Sequence, residues 1–158
     1  MKQTILIIFA LFVAISAQAQ GSFKIGANVG AALSDAGDVA DITLGVDAYY
    51  MFNKKDAWLN FGPTVGYQHF FTDFQEDLGD AQFLPVGVAG RFKAFGVLDL
   101  GADAGYAFGL SDFLDGGFYI RPVVGIDILN AVELFVSYET IFDNATWGSA
   151  NVGFLIEF

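Results

Sequence analysis

The sequence predicts an all-β fold: an eight-stranded antiparallel up-and-down transmembrane β-barrel that follows a cleaved signal peptide. Segments in which apolar and polar residues alternate recur along the chain after residue 21. The chain is 54% hydrophobic but only 16% charged, whereas a soluble domain carries about 25% charged residues. Past residue 20, no run reaches the roughly 20 apolar residues of a membrane helix. A closed barrel is then the main way for so apolar a chain to meet lipid.

Residues 1–20 have the three parts of a secretory signal peptide. Lys2 gives the positive start, residues 5–15 form the apolar core, and residues 16–20 are small or polar, as at a cleavage site. We expect cleavage after Ala19 or Gln20, which leaves residues 21–158 as one barrel domain. The alternative, an uncleaved anchor helix, is disfavoured because the apolar core is short.

Composition excludes several classes of function. The chain has no Cys, which excludes a disulfide framework and thiol chemistry. Loss of Lys2 with the leader would leave 18 acidic residues against six basic ones and change the formal net charge from −11 to −12. Nucleic acid is therefore excluded as a partner, because its binding requires a cationic surface.

Four strands are predicted in the first half of the chain. Their apolar faces consist of Phe23, Ile25, Ala27, Val29 and Ala31 in residues 22–32; Ala40, Ile42, Leu44, Val46, Ala48, Tyr50 and Phe52 in 39–52; Leu59, Phe61, Val65 and Tyr67 in 57–68; and Leu84, Val86, Val88 and Phe92 in 81–92. The residues between them are mostly polar or small, Lys24, Asp41, Asp47 and Arg91 among them. Because successive side chains of a strand point to opposite faces, we expect the apolar set to face lipid and the other set to face the lumen.

Four further strands complete the count. Their apolar faces consist of Leu98, Leu100, Ala102, Ala104, Tyr106 and Phe108 in residues 98–108; Phe118, Ile120, Pro122, Val124, Ile126 and Ile128 in 118–128; Val132, Leu134, Val136 and Tyr138 in 132–139; and Ala150, Val152, Phe154, Ile156 and Phe158 in 149–158. The last of these is the clearest, because small or mostly polar residues alternate with its apolar set up to the aromatic end of the chain. An even number of strands is typical of such barrels.

The connections between these strands alternate between long and short. The long ones, near residues 34–38, 69–80, 109–117 and 142–147, are predicted to be loops at one end of the barrel. The short ones, near residues 53–56, 93–96 and 130, are predicted to be turns at the other end. Outward aromatic residues gather near both strand ends, as in the two interfacial girdles of membrane barrels.

With this pattern and its terminal Phe158, the chain resembles the small eight-stranded outer-membrane proteins of the OmpX and OmpA-transmembrane type. In particular it is similar to the outer membrane β-barrel domain proteins of Bacteroidetes, whose leaders its Ala-Gln-Ala-Gln tail also resembles. The resemblance implies location in the outer membrane and a role for Phe158 as the C-terminal assembly signal. It departs from full-length OmpA in lacking a periplasmic peptidoglycan-binding domain, so that anchoring role is not implied.

The predicted lumen carries several charges of both signs. Eight strands enclose only enough space for side chains, so these charges should pair or be hydrated. A turn near residue 130 places Arg121 across from Glu139, and a loop near residue 112 places it near Asp103. We therefore predict an ion cluster of Arg121, Asp103 and Glu139, and a second pair of Arg91 with Asp99. One interpretation is a packed polar core, and the alternative is a gate or proton path.

The predicted loops carry nine acidic residues and no Lys or Arg. These residues are Asp35, Asp38, Asp73, Glu76, Asp77, Asp80, Asp112, Asp115 and Asp143. Because carboxylates are ligands of hard divalent cations, the set Asp73, Glu76, Asp77 and Asp80 could bind such an ion. The alternative is an acidic surface that serves solubility, because the set lacks the spacing of a known calcium loop. Whether any metal binds is left open.

These observations favour a non-enzymatic, monomeric protein without cofactors, which stabilises the envelope or presents its acidic loops to a partner. Outer membrane lipids, lipopolysaccharide and the barrel assembly machinery are the partners that the resemblance implies. One alternative is a minor conduit for small or apolar molecules, as in OmpW-type barrels. Another is a lipid A-modifying enzyme that uses His69, the single His of the chain, although no Ser stands out as its partner. A third is a secreted soluble barrel whose apolar face points inward.

Overall fold

A computed structural model describes residues 21–53, 57–72, 79–129 and 131–158. The predicted signal peptide, residues 1–20, lies outside the described residues. The strands are β1 (Ser22–Ser34), β2 (Ala40–Met51), β3 (Leu59–Thr72), β4 (Ala81–Ala94), β5 (Leu98–Gly109), β6 (Gly117–Leu129), β7 (Val132–Phe142) and β8 (Thr146–Glu157). A short 3₁₀ helix, Asp35–Asp38, lies between β1 and β2. No helix among the described residues has the length and hydropathy of a membrane-spanning helix.

The eight strands form one closed antiparallel barrel. Each strand pairs with the next, and β1 pairs with β8 over a register that runs from Lys24 opposite Glu157 to Ser34 opposite Trp147. Closure satisfies the backbone groups that an open sheet edge would leave unpaired, which is the condition for crossing lipid with strands. The predicted all-β, eight-stranded antiparallel up-and-down barrel is confirmed.

The outer wall of the barrel is apolar and exposed, and the residues that alternate with the outer ones along each strand are buried. On β1, Val29 is 46% exposed while its neighbour Asn28 is 4% exposed. The same alternation continues round the barrel, with exposed Leu, Val, Ile and Phe side chains on all eight strands. An exposed apolar surface that extends round the whole wall is a surface for lipid.

Several strand boundaries differ from those predicted: β3 ends at Thr72, β4 at Ala94 and β7 at Phe142, and β8 begins at Thr146. The longer β3 and an irregularity in β2 change which side chains face inward. Strand β3 continues to Thr72, so Phe70, expected in a loop, lies in the lumen and Phe71 lies on the outer wall. In β2 the register shifts between Ala40 and Ile42. Such an irregularity changes the alternation, so that Ala40 is buried and Asp41, expected in the lumen, is exposed.

Buried apolar side chains, which we call the apolar plug, fill the loop end of the lumen. The plug consists of Ala32, Ala36, Ala40, Phe70, Ala81, Phe83, Ala107, Leu114, Tyr119, Ile141 and Trp147. Its aromatic centre is close-packed: the ring centroid of Trp147 lies 5.3 Å from that of Phe70 and 5.6 Å from that of Phe83. Below the plug the lumen holds ion pairs and a second apolar group that includes Met51, Phe135 and Leu155. The interior is thus layered rather than polar throughout.

Candidate functional site

The middle of the lumen holds a group of charged and phenolic side chains, which we call the central ion cluster. It consists of Asp47, Tyr49, Arg91, Asp103, Arg121 and Glu139, all of them buried. The antiparallel register of β5 and β6 sets Asp103 directly opposite Arg121. The Nε and Nη2 atoms of Arg121 donate to Oδ2 of Asp103 at 3.0 and 2.8 Å. Glu139 completes the predicted trio, with its Oε2 3.4 Å from Nη1 of Arg121.

Two members of the central ion cluster come from β2, on the far side of the lumen. Nη1 of Arg121 donates to Oδ1 of Asp47 at 2.9 Å. Tyr49 donates to Oδ2 of Asp103 at 3.0 Å, and its ring lies 5.4 Å from the guanidinium of Arg91. Sequence reasoning placed both residues in the lumen but not beside Arg121. Contacts across a barrel join strands that are not neighbours, so hairpin register carries no signal for them.

The predicted pair of Arg91 with Asp99 is wrong. Arg91 lies opposite Gly101 in the β4–β5 register, and its Nη1 donates to Oδ1 of Asp103 at 2.6 Å. Asp99 lies opposite Lys93 instead, with 3.5 Å between Nζ and Oδ2. The physical reason is that β4 continues to Ala94, so Lys93, expected in a turn, supplies a cation closer to Asp99.

A second group of charges, the lower ion ring, lies at the turn end of the lumen. Nζ of Lys24 lies 2.7 Å from Glu133, 3.7 Å from Glu157 and 4.0 Å from Asp99. Lys93 is paired with Asp99 and Asp127. The carboxylates of Asp99, Asp127 and Glu133 approach within 4.8 Å of one another, a spacing that could hold a metal ion. The two ammonium groups already supply positive charge to them, so we assign the ring a structural role.

His69 is held on the outer wall by two hydrogen bonds. Its Nδ1 lies 3.0 Å from the hydroxyl of Tyr67, and its Nε2 lies 3.0 Å from Oδ2 of Asp80. The backbone N–H of Thr72 donates to Oδ1 of Asp80 at 3.0 Å. This N–H, together with the bond to His69, lowers the pKa of Asp80. Both ring nitrogens are thus engaged, and neither of these two partners is the Ser that hydrolytic chemistry of the serine type needs.

Loop carboxylates at this end of the barrel join neighbouring loops. Oδ2 of Asp35 accepts from the backbone N–H of Thr146 at 2.8 Å, and Oδ2 of Asp115 accepts from Nδ2 of Asn144 at 3.0 Å. Of the four residues predicted as a cation site, Asp73, Glu76 and Asp77 lie outside the described residues. Asp80 is described, and Thr72 and His69 occupy both of its oxygens.

Phe158 ends the chain on the seam between β8 and β1. Its backbone N–H donates to the carbonyl of Phe23 at 2.8 Å, and the two ring centroids lie 6.5 Å apart. The side chain is 76% exposed, so the ring remains accessible at the turn end.

The chain can be compared with known proteins through its family and its fold. The sequence model of one protein family, the outer membrane protein beta-barrel domain, matches residues 5–155 of the chain. No curated protein matches the chain. Among solved structures, it is similar to the N-terminal β-barrel domain of Pseudomonas aeruginosa OprF, with 14% identity, a TM-score of 0.58, and coverage of 89% of this chain and 100% of that one.

Two further solved structures show the same fold at low identity. Neisserial surface protein A matches with 18% identity and a TM-score of 0.57, over 89% of this chain and 98% of that one. The attachment invasion locus protein Ail of Yersinia pestis matches with 15% identity and a TM-score of 0.58, over 85% and 99%. The family match covers nearly the whole chain, and the barrel has the architecture that the family requires. The chain therefore belongs to the outer membrane protein beta-barrel domain family.

Proposed function

We propose that this protein is a closed, non-enzymatic, monomeric barrel that stabilises the envelope or presents its acidic loop surface to a partner. The observation that carries the proposal is the filled lumen. The aromatic centre of the apolar plug covers the loop end, and the central ion cluster crosses the middle of the lumen. Side chains packed to this density serve the stability of the wall.

The acidic loops support the part of the proposal that concerns the outer surface. Asp38, Asp41 and Asp112 are exposed there, and Asp35, Asp80 and Asp115 tie segments of that end together. A partner of this surface would carry positive charge or bring divalent cations that bridge to lipopolysaccharide phosphates. Outer membrane lipids and the barrel assembly machinery are the further partners that we propose. We also propose that residues 1–20 are a cleaved secretory leader and that the protein comes from a member of the Bacteroidetes.

The test is to purify the full chain from outer membranes, reconstitute it in lipid vesicles and planar bilayers, and measure solute uptake and single-channel conductance. We expect a mobility shift on heating in SDS gels, no swelling with small sugars and no channel events. Steady conductance or swelling would favour the conduit instead. A strain that lacks the protein should show increased sensitivity to detergent and chelator, and normal resistance in both assays would contradict the envelope role.

A further inference from the structure

We propose that Glu139 binds a proton and is a neutral carboxylic acid in the folded barrel, which gives the lumen a buried proton-binding site within the central ion cluster. The inference goes beyond the proposed function, because a closed structural barrel needs no such site. It rests on the hydrogen bonds of the cluster and on its charge.

The hydrogen-bond donors of the cluster are directed at the two other carboxylates. Asp103 accepts from Arg121, Arg91 and Tyr49. Asp47 accepts from Arg121 at one oxygen and from Nδ2 of Asn28 at the other, both at 2.9 Å. Asp47 and Asp103 therefore have the partners that stabilise an ionised carboxylate.

Glu139 has no comparable support. Its side chain is fully buried, and among the described residues neither of its oxygens has a hydrogen-bond partner. Nη1 of Arg121 lies 3.4 Å from Oε2 but directs its hydrogen bond at Asp47. Burial of an ionised carboxylate without hydrogen bonds is far more costly than burial of the neutral acid, so such a group takes up a proton instead.

The charge of the cluster leads to the same assignment. The groups that act on Glu139 are Asp47 on β2, Asp103 on β5, and Tyr119 and Arg121 on β6. Tyr49 on β2 and Arg91 on β4 belong to the same layer through their bonds to Asp103. The two guanidinium groups are balanced by Asp47 and Asp103 alone. An ionised Glu139 would add an uncompensated negative charge inside the barrel, whereas the neutral acid leaves this layer without net charge.

Infrared difference spectroscopy of the full barrel in lipid vesicles at neutral pH tests this assignment. We expect the wild type to show the carbonyl stretch of a protonated carboxyl, and Glu139→Gln to lose it. The matched control is Glu157→Gln, since Glu157 lies beside Lys24 in the lower ion ring; this variant should lose carboxylate bands and keep the acid band. Loss of carboxylate bands alone in Glu139→Gln would overturn the proposal.

Two further measurements keep the test decisive if a variant folds poorly. In the wild type, ¹³C labelling of glutamate side-chain carboxyls should shift the acid band, and a band that responds only to labelled aspartate would overturn the assignment. Glu139→Gln should also unfold at the wild-type urea concentration, because it replaces one neutral group with another. Failure of this variant to fold, or a midpoint as low as that of Asp103→Asn, would show that the charge of Glu139 is required.

Discussion

Arg121 is the residue on which the central ion cluster depends, because it contacts three carboxylates on three different strands. Arg121→Leu would leave Asp47 and Asp103 buried with less compensation. Removal of one partner from a buried ion pair costs roughly 3–5 kcal/mol. We expect the urea midpoint of the vesicle-bound barrel to fall accordingly, and that of Asp112→Asn, an exposed loop variant, to stay unchanged. Equal midpoints for the wild type and Arg121→Leu would mean that packing alone holds the wall.

Asp80 should make the base of the β3–β4 loop sensitive to acid. The N–H of Thr72 and the ring of His69 stabilise its charged form, so its pKa lies below the ordinary value of 3.8. A lowered carboxyl pKa gives stability that is present above the ordinary value and is lost as the pH falls through the folded one. The amide NMR shift of Thr72 should therefore titrate with a midpoint below 3.8, and Asp80→Asn should abolish this titration. A midpoint at or above 3.8 would contradict the hydrogen bond.

Strand β3 offers a matched pair of residues for the contribution of the apolar plug. Phe70 is 0% exposed inside the lumen, and its neighbour Phe71 is 42% exposed on the outer wall. Phe70→Ala leaves a cavity against Phe83 and Trp147, and a cavity of this kind costs roughly 3–5 kcal/mol. We expect a markedly lower temperature for the heat-dependent mobility shift in Phe70→Ala, and a smaller change in Phe71→Ala, whose ring faces lipid. A larger effect of Phe71→Ala would contradict the closed, packed loop end.

The sequence predicts the strands well and the contacts across the lumen poorly. The reason is that strands depend on residues close together in the chain, whereas contacts across the lumen join residues far apart in it. Alternation of apolar and polar residues is local, so it predicts the eight strands, their order and the face on which most residues lie. The register of neighbouring hairpins further predicts that Arg121 lies close to Asp103 and Glu139. The register shift between Ala40 and Ile42 of β2 and the plug contacts of Trp147 involve segments that are distant in the chain. Asp47 reaches Arg121 across the lumen, 74 residues away in the chain. The alternation of apolar and polar residues carries no information about contacts between residues so far apart in the chain.

Closure of the barrel depends on the β1–β8 seam. Substitution of Phe158 at the end of this seam distinguishes an effect on the rate of assembly from an effect on the stability of the folded barrel. The seam register runs from Lys24 opposite Glu157 to Ser34 opposite Trp147. One residue further, the backbone of Phe158 bonds to that of Phe23 while its ring stays exposed. If this ring is the assembly signal, Phe158→Ala should reach the outer membrane several-fold more slowly in pulse labelling. Once refolded in vesicles, the same variant should unfold at nearly the wild-type urea concentration, because the backbone bonds to Phe23 remain. Phe154→Ala is the matched control, since Phe154 lies within the paired register of the seam, opposite Ala27, and its ring is 43% exposed on the outer wall against 76% for Phe158; it should lower stability more than it slows assembly. The reverse order of effects would make Phe158 a packing residue rather than a signal.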